Sequence, residues 1–307
     1  MATLMALAPR HVLASPLAYV PNEKSGTVSV IDTGTDEVIA TWQVSERPRG
    51  IAASVDGRSL YVSDQPTNAL IVLDLPSGKP RARIALSESP EGVNLSPDGR
   101  WIAVAGELAN AVLLIDTQRL AVQASVRTTG KNPEHAVFSP DGRWLFVSAE
   151  EAAQVDIIDV TARQQVVSIQ VGRRPRGIGF TPDGRLAFVA CELDGAVHVI
   201  DVAKRELVQR IPAGEFPNGV LVAPGGGQVY VSNGRSASVS VIDVPGLKVL
   251  ATVPVGKRPW NMAITPDGSK LYVANGRSNT VSVVDTAKRL VVKEVAVGEL
   301  PWGVDIR

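Results

Sequence analysis

The sequence predicts an all-β chain folded as a seven-bladed β-propeller, and three observations carry that prediction. Aspartates that close "VID"-type runs recur at Asp32, Asp74, Asp116, Asp159, Asp201, Asp243 and Asp285, at intervals of 42, 42, 43, 42, 42 and 42 residues. Prolines keep the same step at Pro48, Pro90, Pro133, Pro175, Pro217, Pro259 and Pro301, most followed two residues later by glycine. Within each period the apolar residues fall into four short runs, and no 11-residue window shows the i, i+3, i+4, i+7 spacing of a helix.

The period from Pro259 to Leu300 shows each element in turn. Met262–Thr265, Leu271–Asn275, Thr280–Thr286 and Leu290–Val297 are rich in Val, Ile, Tyr and Thr, the residues that suit a strand. Pro266-Asp267-Gly268 separates the first two, because proline fixes φ and glycine accepts a positive φ. Runs such as VSVID and LIVLD are apolar on both parities, as expected where a blade packs a neighbour on each face. The repeated aspartates are expected to cap turns by accepting backbone amides two residues on. The turn proline is missing at Val55-Asp56-Gly57 and the turn aspartate at Pro224-Gly225-Gly226. The repeat enters on a second strand, Leu17–Asn22, and leaves after a lone first strand, Trp302–Arg307. That last strand should therefore complete the first blade and remove the open edges of the ring.

Composition narrows the function. One propeller domain is expected over residues 17–307, preceded by residues 1–16, which read either as the tail of a secretory leader or as a disordered extension. The leader reading makes the protein periplasmic or secreted, while the extension reading leaves the cytoplasm open. Thirty-one basic and thirty-one acidic residues cancel, which disfavours binding to a polyanion through a charged face. A single cysteine, Cys191, excludes an internal disulfide and a zinc knuckle; beside Glu192 it is expected to be inert. No apolar run reaches the length of about 18 residues that reads as membrane-spanning.

The segments YVAN (Tyr272–Asn275) and YVSN (Tyr230–Asn233), with VSVID and PDG at fixed offsets, resemble the YVTN β-propeller repeat family over Leu17–Arg307. Tyr19–Asp32 (YVPNEKSGTVSVID), Arg258–Gly268 (RPWNMAITPDG) and Leu300–Val304 (LPWGV) are similar to the propeller proteins associated with PQQ-dependent catabolism. That resemblance implies an exported accessory protein near quinoprotein dehydrogenases, with no catalytic residue to carry over. The haem-attachment motif Cys-x-x-Cys-His is absent, and no bound cofactor is expected.

Since the fold alone requires the repeated positions, function should lie where equivalent positions differ. The residue after each proline enters the innermost strand at the mouth of the central channel. Around the ring it reads Trp302, Arg49, Glu91, Glu134, Arg176, Asn218 and Trp260. The loop after each second strand should open on the same face, adding Asn22, Asn233 and Asn275 at its start and then Glu23, Gln65, Glu107, Glu150 and Glu192, with Arg235 and Arg277 on the sixth and seventh blades. The expected site thus has a carboxylate sector and a Trp/Asn/Arg sector. The plain reading is that Arg49, Glu91, Glu134 and Arg176 neutralise one another as partly solvated pairs and that the tryptophans plug the channel. Two neighbouring tryptophans also suit a flat ring or a partner's side chain.

Three functions are compatible with this pattern. The first is a non-enzymatic binding propeller whose Trp260/Trp302/Arg49 face docks a periplasmic redox protein or a small molecule. The second is a lactone-cleaving or isomerising enzyme carried by Glu91, Glu134 and His135, the histidine that replaces the usual glycine at the mouth. Glu91 and Glu134 would then face a calcium ion, although the six or more oxygens such an ion takes cannot all be named. The third is single-stranded nucleic-acid binding, with bases on Trp260 and Trp302 and phosphates on Arg235 and Arg277; the neutral charge disfavours it.

Overall fold

The computed structural model describes residues 15–75 and 77–307, so most of the leader-like stretch lies outside them. The described residues form seven four-stranded antiparallel sheets, each built from inner to outer strand in chain order except at the seam. The second blade is typical, with strands Pro48–Ala53, Ser59–Asp64, Ala69–Asp74 and Pro80–Ala85. Among the described residues no helix is long and apolar enough to cross a membrane.

The turn chemistry follows the sequence. Asp32 accepts the Gly34 amide at 2.7 Å, Asp116 the amides of Gln118 and Arg119 at 2.9 Å each, and Asp285 that of Lys288 at 2.8 Å. In the Pro-Asp-Gly turns the hydroxyl before the proline donates to the aspartate, as from Ser96 to Asp98 at 2.5 Å. Ser54 makes the same bond to Asp56 at 2.6 Å, so that turn survives without its proline. Where the aspartate is lost, the Gly226 amide still closes the turn on the Ala223 carbonyl at 2.8 Å.

Apolar side chains on both faces of each blade fill seven clusters, one at each interface between neighbouring blades. Between the second and third blades, for example, Tyr61, Leu70 and Val72 meet Ile102, Val104 and Ile115. Burying each such large aliphatic side chain contributes about 1.5–3 kcal/mol.

One irregularity positions the mouth. Each inner strand skips register directly after its proline, between Pro48 and Ile51 or Pro133 and Ala136 for instance. In the second, fourth and sixth blades a serine on the second strand takes up the amide freed by the skip: Ser63 accepts from Gly50 at 2.9 Å, Ser148 from His135 at 3.1 Å and Ser232 from Gly219 at 2.8 Å. Ser63 also donates to the Glu91 carbonyl of the next blade at 2.9 Å, and Ser232 to the Trp260 carbonyl. Glu91 and Trp260 are thus tied through their carbonyls to the blade before them. Glycine follows because the inner strands approach closely; a Cβ at Gly50 would lie 2.5 Å from the Glu91 carbonyl oxygen.

The ring closes as expected. Asp305–Ile306 pairs with Tyr19 and Ala18, a bridge joins Pro301 to Asn22, and the skip between them matches the other blades. Behind this seam Asp36 of the first blade receives the Tyr272 hydroxyl and, at 2.7 Å, the Lys270 ammonium of the seventh.

Candidate functional site

All seven residues that follow the ring prolines line one cavity of about 420 Å³ at the channel mouth. Glu23, Gln65, Glu107 and Glu150 join them from the second-strand loops. A further set was not anticipated from the sequence: Arg47, Arg174, Arg258 and Leu300, which precede ring prolines, also line the cavity. The 42-residue step could have revealed it, because it runs Arg47, Ser89, Asn132, Arg174, Phe216, Arg258, Leu300. The last six take positive φ, from 54° to 58°. A side-chain-bearing residue pays about 1–2 kcal/mol for that conformation, so the rim is built under strain.

The charges are more deeply set than solvated surface pairs. Glu23, Glu91 and Glu192 are each 2% exposed and Glu134 is 7%. Arg49 bridges Glu91 and Glu23, the latter at 3.2 Å, and Arg47 also pairs with Glu23. Arg176 meets Glu134 at 2.6 Å, Glu192 at 2.9 Å and Glu150 at 3.3 Å, while Arg174 and Arg258 reach Glu192 at 3.3 and 3.2 Å. Gln65 donates to Glu91 at 3.0 Å. Burial, and then the Glu134 carboxylate, push Glu91 upward from the usual carboxylate range, against the pull of Arg49. Burial raises Glu150 as well, opposed by Arg176 and reinforced by Glu134.

Carboxylate oxygens of Glu107, Glu134 and Glu150 lie within 4.8 Å of one another, so the trio facing a cation would include Glu107 and Glu150 rather than Glu91. Two of the three already hold Arg176. A calcium ion takes six to eight oxygens, and this set does not complete such a shell.

The aromatic side holds an arrangement invisible in the sequence. Trp302 reaches across the channel and stacks on His135 of the fourth blade, with ring centroids 5.7 Å apart and planes 15° off parallel. Trp302 lines the mouth cavity and also a second chamber, which His135 lines with it. Burial, followed by the nearby Arg176, lowers the His135 pKa to about 4. His135 is therefore neutral at pH 7 and no proton carrier near neutrality. In the unfolded chain it titrates near 6.5, so its contribution to stability is present above that value and is lost as the pH falls toward 4. Denaturant titrations of the parent and of His135→Leu should show a shallower acid slope for the variant in that window; identical slopes would show that His135 charges freely in the fold.

Other expected contributors lie elsewhere. Arg235 and Arg277 are exposed and do not line the cavity. Arg235 instead sits over the Phe216 ring at 5.4 Å and faces Glu215 at 3.6 Å. Asn22, Asn233 and Asn275, at the start of the mouth loops, are fully buried and donate to Ser29, Ser240 and Ser282 of their own blades at 2.9, 2.9 and 2.7 Å. They fasten the second strand to the third. Cys191 is buried, and desolvation pushes its thiol up to about 12, which keeps it inert.

A family model described as "Lactonase, 7-bladed beta-propeller" matches residues 5–119, 93–168 and 158–294, nearly the whole chain. The chain belongs to that seven-bladed lactonase family. Curated relatives of this lactonase-family propeller are the uncharacterised YncE proteins of Salmonella typhi and Salmonella typhimurium, 41% identical over 66 residues. The aligned stretch spans 20% of this chain and 19% of each relative. Among solved structures, Kuenenia stuttgartiensis hydrazine synthase is similar with a TM-score of 0.81 at 24% identity, over 93% of this chain and 99% of that one. A candidate 6-phosphogluconolactonase of Bacteroides fragilis gives a TM-score of 0.82 at 19% identity, over 98% and 100%. At such identities the likeness establishes the fold of the lactonase-family ring and leaves its chemistry to the mouth.

Proposed function

We propose that this lactonase-family propeller binds a small molecule at its mouth without transforming it. The flat face of the ligand would rest on Trp302 and Trp260 and its polar edge on the Glu91 and Glu134 side. The observation that carries this reading is the commitment of each catalytic candidate: Glu134 to Arg176, Glu91 to Arg49 and Gln65, and His135 to the Trp302 stack. A cavity of about 420 Å³ suits a compact organic ligand. The YVPN, RPWNMAITPDG and LPWGV segments support an exported accessory of PQQ-dependent dehydrogenases, with the quinone cofactor or a periplasmic redox protein as the occupant.

The test is a thermal-shift and calorimetric panel of PQQ, free quinones and sugar lactones on the full chain. A ligand at 100 times its dissociation constant stabilises by about 2.7 kcal/mol. Trp302→Ala should weaken a hit at least tenfold, and an unchanged affinity would overturn the placement of the site.

A second reading, hydrolysis of a lactone, draws on the family name and on Glu91, whose burial favours the protonated form that a general acid needs. Turnover of 6-phosphogluconolactone or another sugar lactone, abolished by Glu91→Gln, would replace the binding reading with this one.

A further inference from the structure

Beneath the Trp302–His135 stack the channel forms a second chamber of about 370 Å³. Its wall is made of inner-strand backbone and apolar side chains, among them Ile178, Phe180, Leu221 and Met262. Four polar residues interrupt it: Asn94, His135, Asn261 and Asp305. Asp305 and Asn94 hold the same register position on the inner strands of the first and third blades, with only Ala52 of the second blade between them. They make one polar sector, and His135 and Asn261 add polar groups on the fourth and seventh blades.

Asp305 is the chamber's sole ionisable acid, and no salt bridge among the described residues reaches it. One carboxylate oxygen accepts the Ala53 amide at 2.6 Å; Arg307, exposed at the end of the strand, is the one cation whose charge it feels. Burial raises its pKa against the opposing pull of the Ala53 amide, Arg307 and the Ile306 amide. The other titratable group in the wall, His135, is neutral at pH 7 and 8% exposed, and its Nδ1 has no hydrogen-bond partner. A carboxylate in apolar surroundings is costly unless it is paired, and a cation with a hydrocarbon body would satisfy both the charge and the wall.

We propose that this lower chamber is a binding site for a small primary alkylamine, its ammonium on Asp305 and its chain against Phe180, Leu221 and Met262. The site shares only Trp302 with the mouth cavity, and none of the mouth carboxylates lines it.

Calorimetric titration of the full chain at pH 8 with n-hexylamine hydrochloride and with 1-hexanol tests it, because the two probes match in shape and differ in charge. The amine should bind at least tenfold more tightly. Asp305→Asn, which keeps an oxygen for the Ala53 amide, should erase that preference, and Glu91→Gln at the mouth should leave it intact. Leu221→Trp, which fills the chamber and leaves the Asp305 carboxylate in place, should abolish binding of both probes and guards against an Asp305 variant that fails to fold. Equal affinities, a preference that survives Asp305→Asn, or one that disappears in Glu91→Gln would each overturn the assignment.

Discussion

Arg176→Ala is expected to cost about 3–5 kcal/mol of folding stability, the range for removing one partner of a buried ion pair. The guanidinium is 11% exposed and binds Glu134, Glu192 and Glu150 at once. Burial works against its charge, yet these three carboxylates more than offset that and hold its pKa above the usual value. Deleting it leaves Glu134 uncompensated at 7% exposure and Glu192 with only the longer contacts to Arg174 and Arg258. Since whole domains are stable by about 5–15 kcal/mol, this change alone should bring the ring close to its limit. Urea denaturation of the parent and variant measures it. A loss below about 1 kcal/mol would show that the mouth charges behave as exposed pairs do.

Removal of residues 301–307 should be more damaging still. Val304 and Ile306, 7% and 6% exposed, pack with Ala18, Val20, Ile31 and Tyr272 at the seam. By area alone these two side chains contribute about 3–6 kcal/mol. The deletion also frees the paired edge of Leu17–Asn22, including the Leu17 and Arg307 amides and carbonyls that bond to each other at 2.5 and 2.9 Å. The expected result is loss of the cooperative unfolding transition. A truncated chain that melts within a few degrees of the parent would mean that the Asp36–Tyr272–Lys270 contacts hold the ring shut by themselves.

Blade count, strand order and closure were legible because a propeller repeats its local chemistry, and Asp, Pro and Gly recur wherever the backbone requires a cap, a turn or a close approach. The mouth ring was legible for the same reason: a residue fixed in register beside a ring proline is fixed in space. The stack of Trp302 on His135 was not, because it spans opposite sides of the ring and depends on how far an indole reaches past the register skip. Asn22, Asn233 and Asn275 misled in the other direction. They stand in the right loops, but each turns inward to satisfy hydroxyls of its own blade, and nothing in the repeat pattern separates an inward amide from an outward one. Burial was equally hidden, since Glu91 and Glu134 read as solvated charges until the rim arginines close over them.

The seam also sets an order of events in time. The first blade receives its inner strand from residues 301–307, so until the last stretch of chain is available that blade has three strands and an unpaired edge. Six blades can form from neighbouring segments, but the pairing of Ala18 with Ile306 spans nearly the full sequence and carries the largest loop-closure cost in the molecule. Completion of the ring is therefore the last step to become possible as the chain emerges from the ribosome. During that interval the Leu17–Asn22 edge is the place where a second nascent copy could insert a strand.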